Sequence, residues 1–122
     1  MQTNRVIPVF RMFDEAKANE FYSDFLGFNV AFEHRFGENM PLYRGYTFGD
    51  FEIHLSEHHG DCSPGGAVRV EMSGLDDYHA SLLGKDYKFA GPGIENQPWG
   101  YREFYVMDPF HNRLTFCEKS PA

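Results

Sequence analysis

The stretch QPWGYREFYVMDPFHNRLTF, Gln97 to Phe116, decides how the rest of the chain is read. Pro98-Trp99-Gly100 interrupts regular structure just ahead of an alternating segment that runs to Met107. Asp108-Pro109 then specifies a tight turn into a second alternating segment. Two such segments form a hairpin, and its entry carries the only tryptophan of the chain. What that ring serves depends on the elements packed beside it.

Outward from the hairpin, one order of elements occurs twice. RVIPVFRM (Arg5 to Met12) alternates as a strand, with Pro8 limiting its pairing to an edge or an exchange point. Asp14 caps a helix with Ala18, Phe21, Tyr22 and Phe25 at helical spacing, and Gly27 ends it. FNVAFEHRF, LYRGYTF and FEIHLSE follow as strands, the last two joined at Gly49-Asp50. HHGDCSPGG, residues 58–66, is a turn-rich linker. AVRVEMS then alternates again, and Leu75, Tyr78 and Leu82 mark a second helix stopped by Gly84. DYKFA, YREFYVM and NRLTFCE complete the second round. The expected fold is α+β: a single domain over 1–122 built from two tandem βαβββ modules, about 5–57 and 67–118. They form a curved mixed sheet with helices on the outer face and a cleft on the other.

A chain of 122 residues is long enough for one domain with a core and short for two. Aromatic residues reach 17%, with 13 Phe and 7 Tyr, more than such a core needs, so a homodimer that covers the surplus is expected. No apolar run is long enough for a bilayer, and the N-terminus lacks the pattern of a signal peptide. Two cysteines suggest no disulfide framework, so a cytoplasmic protein with reduced thiols is expected. A net charge of -7 argues against nucleic acid and suits a cationic ligand.

Alternation assigns the cleft face. Ile7, Val9 and Arg11 on the first strand, Glu52, His54 and Ser56, Ala67, Arg69 and Glu71, and Arg113, Thr115 and Cys117 are expected to face it. Arginine, glutamate and histidine there can order polar parts of a ligand; the plainer alternative is scattered half-exposed residues at sheet edges. His54, His58 and His59 invite a metal reading. They lack HxH or HExxH spacing, and solvated loop histidines are the simpler account. His34 and His79 read as surface residues, and Cys117 has no basic neighbour in sequence to activate it. Phosphate loop, GxSxG and CxxC patterns are absent from the sequence.

VIPVFRMFDEAKANEFYSDFLGF, QPWGYREFYVMDP and DPFHNRLTF together resemble the glyoxalase/bleomycin resistance/dioxygenase superfamily, and within it the bleomycin resistance proteins. The resemblance covers nearly the whole chain. His111 departs from it, standing where the turn usually has glycine, in a position that calls for a left-handed backbone. The resemblance implies four metal-ligand positions in the superfamily's enzymes, which fall here on Ile7, His54, Ala67 and Thr115. Only His54 can coordinate, so no metal, no other cofactor and no metal-dependent catalysis is expected. It further implies a homodimer, with first-strand or module exchange, that sequesters a bleomycin-type drug in a cleft without altering it. Trp99 suits stacking on flat rings, with Tyr101, Phe32 and Phe36 adding surface, and Glu71 suits a cationic tail. His54, Arg69 and Thr115 complete the expected ligand-binding set. For Trp99 the alternative is an anchor at the dimer interface. For the protein, the alternatives are another small metabolite as ligand, or an enzyme using His54 and Glu71.

Overall fold

The structure is a computed structural model that describes residues 1–85, 87–88 and 93–121. Its elements run β1 (Val9–Arg11), α1 (Glu15–Asn19) continuing as a π-helical segment (Glu20–Phe25), β2 (Asn29–His34), β3 (Tyr43–Phe48) and β4 (Phe51–Ser56). The second round is β5 (Ala67–Glu71), α2 (Leu75–Leu83), β6 (Glu95–Gln97), β7 (Tyr101–Met107) and β8 (Arg113–Lys119). Each round makes a mixed four-stranded sheet, in the orders β1-β4-β3-β2 and β5-β8-β7-β6. In both, the opening strand pairs parallel to the last, and the other pairs are antiparallel. The repeated order of elements is therefore a repeated topology, and the fold is α+β with two βαβββ-like modules.

Local chemistry sets the helix ends. Asp14 accepts a hydrogen bond from the Lys17 amide at 3.0 Å, which satisfies one of the unpaired donors of the first turn. At the other end Gly27 adopts φ 82, and the Phe28 amide reaches back to the Tyr22 carbonyl at 2.8 Å. α2 follows left-handed Gly74, which has no side chain to cap it. Glu118 of β8 takes over that role, its carboxylate accepting from the amides of Gly74 and Leu75 at 3.0 and 3.3 Å.

One apolar cluster runs through both modules. Tyr22 stacks on Tyr46, Phe28 on Phe48 and Phe104 on Phe116, while Phe48 also meets Tyr78 and Phe116 across the module boundary. Phe10, Phe21, Phe25, Phe28, Phe104, Phe110 and Phe116 are all buried here. The core thus absorbs much of the aromatic surplus that the sequence assigns to a dimer face. Among the described residues, Phe13, Phe32, Phe36 and Trp99 remain exposed.

The tight turn after β7 joins the modules. The buried Asp108 carboxylate accepts from the amides of Phe110 and Asn112, from the Asn112 side chain, and from the Tyr22 hydroxyl of the first helix at 2.7 Å. Asn112 in turn donates to the Arg11 carbonyl and accepts from the Gly66 amide. Burial pushes the Asp108 carboxyl above its ordinary range, and the four hydrogen bonds oppose that shift. His111 closes the turn at φ 68, the left-handed position its place in the sequence calls for.

Three readings of the sequence change. The first strand is shorter than Arg5 to Met12, because pairing with β4 covers only Val9–Arg11. Of the expected strand at 86–90, Tyr87 and Lys88 are outside any strand, and the other three positions lie outside the described residues. The fourth strand of the second sheet is instead β6, three polar residues with no apolar alternation to announce them. β2 carries a bulge at Ala31, between Val30 and Phe32. No helix among the described residues is long and apolar enough to cross a membrane.

Asp108→Ala strands two buried backbone donors and two side-chain donors, so it is expected to lower stability by about 3 kcal/mol or more in urea unfolding. Asp108→Asn keeps one acceptor but turns a donor toward the Asn112 amide, so a smaller loss is expected. Equal midpoints for Asp108→Ala and the parent chain would remove the turn from its joining role.

Candidate ligand cleft

The face of the second sheet holds a cavity of ≈ 310 Å³. Strand alternation brings Arg69 of β5, Thr115 and Arg113 of β8, and Glu103 and Tyr105 of β7 to its wall. Trp99 stands at its edge, at the tip of the β6–β7 turn. There the Gly100 amide donates to the Gln97 carbonyl at 3.1 Å and Gly100 takes φ 90. That backbone angle favours glycine. Trp99 is 59% exposed, a large value for so apolar a side chain.

The cavity's charges are ordered. Arg69 and Glu103 form an ion pair at 2.7 Å. The Arg113 guanidinium lies over the Tyr105 ring, 4.5 Å from its centroid. Cys117, on the same strand face, is buried, and its thiol reaches the Val70 carbonyl at 3.6 Å. It does have a basic neighbour, Arg69, contrary to the sequence reading, yet burial still pushes the thiol up. Tyr101 and Glu71 do not line this cavity. They pair with each other at the far end of the sheet, the tyrosine hydroxyl donating to the carboxylate at 2.8 Å, and that bond raises the Tyr101 pKa.

The first-module face is organised differently. His54 sits between two partners, with Tyr43 Oη 2.7 Å from Nδ1 and Glu52 Oε2 2.6 Å from Nε2. Glu52 also binds Arg5 at 2.7 Å, and its carboxyl is held below the usual range, chiefly by the bond to His54. Phe32 meets His54 edge-on at 5.0 Å and stacks over Tyr43 at 6.1 Å. Gly45 makes room for that ring, since a Cβ there would lie 2.3 Å from it. Phe36 packs edge-on against His34 and His58, beside a second cavity of ≈ 350 Å³ that Tyr43 and Asp61 also line.

The expected ligand-binding residues therefore fall into separate groups. Trp99, Arg69 and Thr115 share the second-module cavity; Phe32 and His54 share the first-module face, with Phe36 at its edge; Tyr101 and Glu71 stand apart. Arg11 and Ser56 do not face a ligand. Arg11 is buried and donates to the Ser56 carbonyl at the end of β4 and to the His59 and Cys62 carbonyls, which the turn-rich linker leaves outside any strand. Ser56 donates to Asp61 at 2.6 Å. His79 is not a free surface residue either, since its ring packs 4.8 Å from Phe104. Glu103 and Tyr105 were not singled out from the sequence. They lie on the same alternation as Tyr101, which was the available signal.

The four positions matching the superfamily's metal ligands do not fit a metal. Ile7, Ala67 and Thr115 supply no imidazole or carboxylate, and both nitrogens of His54 are engaged within the chain.

The sequence matches the model of the family described as "Glyoxalase superfamily protein" over residues 1–122. The chain belongs to this superfamily. Its fold is that of the bleomycin-binding protein from bleomycin-producing Streptomyces verticillus, solved with copper(II)-bleomycin. The two are 26% identical, with 100% of this chain and 99% of that one covered and a TM-score of 0.71. An antibiotic binding protein from Streptomyces sp. CB03234 is 21% identical over 98% of this chain and 99% of that one, with a TM-score of 0.78. A bleomycin resistance determinant encoded on the transposon Tn5 is 16% identical over 98% and 100%, with a TM-score of 0.76. The last two likenesses concern the fold alone. Among curated proteins none matches the sequence.

Gly45→Ala is expected to displace the Phe32 ring from His54, because ring and new methyl cannot share that space. An exposed ring can turn away, so the cost should be about 1 kcal/mol, the low end for overpacking. The readout is the shift of the His54 ring-proton resonances, and unchanged resonances would contradict the packing described.

Proposed function

We propose that this protein binds and sequesters a small aromatic compound of the bleomycin type in the Trp99 cavity, without transforming it. The observation that carries the reading is the exposed indole beside a cavity whose floor is ringed by Tyr105, Arg113 and the Arg69–Glu103 pair. A flat ring can stack on Trp99 while polar groups below fix its orientation. The likeness to a bleomycin-binding protein that covers nearly all of both chains supports the same reading.

The enzymatic alternative is weaker. His54 is the residue it would use, and the imidazole is tied to Tyr43 and Glu52. Glu71, its other candidate, is tied to Tyr101. Another small metabolite as ligand stays within the same site and differs only in the compound.

A homodimer belongs to this proposal. Phe32, Phe36, Val30 and Met40 leave apolar surface exposed on the first module, while the Trp99 cavity opens on the second. A second copy that set one face against the other would bury the first and close the second. Exchange of the first strand is one way to do so. In a single chain that strand is already paired, with the His54 amide bound to the Pro8 carbonyl at 3.0 Å.

Bleomycin titrated into the protein should change the emission of its only tryptophan. Trp99→Ala should weaken binding by about 1–3 kcal/mol in calorimetry, the range for losing one stacked ring. Sedimentation at micromolar concentration should give a dimer for both proteins. Unchanged affinity with loss of the dimer would make Trp99 an interface anchor instead.

A further inference from the structure

Among the described residues, four charged side chains line the Trp99 cavity, and only two of them neutralise each other. Arg69 and Glu103 are paired at 2.7 Å. Arg113 lies over the Tyr105 ring and, among the described residues, its guanidinium makes no hydrogen bond or ion pair. Glu95 is likewise uncompensated, but it stands on β6, in register with Glu103, at the opposite edge of the sheet. The cavity therefore has an unspent cation on one side and an unspent anion on the other.

An arginine held over a ring with no hydrogen-bond partner keeps its donors available. That planar fork matches a carboxylate in two parallel hydrogen bonds, which an ammonium cannot do. Thr115, two residues along the same strand face and 9% exposed, adds a hydroxyl beside it. The cavity volume of ≈ 310 Å³ is at the low end of about 300–1,000 Å³ for small-molecule sites. It takes in a compact ring system, so a larger compound enters with one ring group and extends beyond the cavity's edge.

We propose that the group this cavity selects is an aromatic acid, its ring stacked on Trp99 and its carboxylate held by Arg113. This rests on the proposed binding function and specifies the ligand class. The orientation follows from the charges: Glu95 repels the acid from the β6 edge, and Arg113 draws it to the β8 side. The chain's net charge of -7 opposes any anion at long range, but at physiological salt charges beyond about 8 Å are largely screened, so the adjacent guanidinium decides.

Calorimetric titration of the full chain with 2-naphthoate and with 2-naphthamide tests this. The two probes share a ring and differ in charge. Naphthoate should bind at least tenfold more tightly. Arg113→Gln should bring naphthoate down to the naphthamide level, and Arg113→Lys should restore part of the preference. Thermal melts of each variant establish that it is folded. Equal affinities for the two probes, tighter amide binding, or a preference that survives Arg113→Gln in a folded protein would each overturn the proposal. If neither probe binds while bleomycin alters Trp99 emission, the acid specificity fails and the binding function stands. If no compound of the three binds, both fail.

Discussion

The Asp108 carboxylate is the point on which the arrangement of the two modules depends. Its Oδ1 closes its own turn by accepting from two backbone amides, and its Oδ2 accepts from the Tyr22 hydroxyl of the opposite module and the Asn112 side chain. Asn112 carries the connection onward to β1 and to the end of the linker. A neutral residue could make some of these contacts, but only a carboxylate accepts all four. The same turn ends β7 and begins β8, the strands that form the cavity wall. Arg113 follows Asn112 directly, and its amide is fixed to the Gly66 carbonyl at 2.9 Å. The joint between modules therefore also positions the guanidinium that faces the ligand space.

The two modules share a topology and use it differently. At matching places on the first sheet, Tyr43, His54, Glu52 and Arg5 form a closed chain of polar contacts under the Phe32 ring. On the second sheet, Arg69 and Glu103 cancel while Arg113 and Glu95 stay unpaired. A closed network holds its members in place and has little left to offer a ligand. An open one offers binding energy because its donors are already oriented and only partly desolvated. The unpaired polar groups are thus concentrated on the second module, where the proposed function puts recognition, and the first presents apolar surface.

Much of the fold was legible because its signals are local. Helix ends at Asp14 and Gly27, the hairpin at Gly49, the Asp108-Pro109 turn and the repeated order of elements all rest on residues close in sequence. The left-handed His111 was legible for the same reason. β6 was not, because Glu95, Asn96 and Gln97 are polar on both faces and their pairing is imposed by β7. Nor was the Glu118 cap of α2, whose partners lie more than forty residues away in the chain. Alternation puts Arg69, Arg113 and Thr115 on one face, and they line one cavity, but it says nothing of what a side chain finds there. Arg11 is on that face too, and carbonyls of β4 and the linker claim it. The split of the aromatic candidates between two faces depends on how the modules pack, which no single strand encodes.

Net charge and local charge give opposite answers for this protein, and the distances decide between them. The sum of -7 is spread over the whole surface, where each carboxylate is solvated and screened. Inside the cavity the relevant field comes from a few groups at contact range. The Arg69–Glu103 pair is nearly neutral when viewed from any distance beyond its own length. What is left is Arg113 on one side and Glu95 on the other, with two strand spacings of about 4.8 Å each between their strands. In the proposed binding mode a ring on Trp99 spans that gap, so that the two ends of a ligand differ by charge while its middle is held by stacking. The sequence-wide acidity bears only on how an ion approaches from afar.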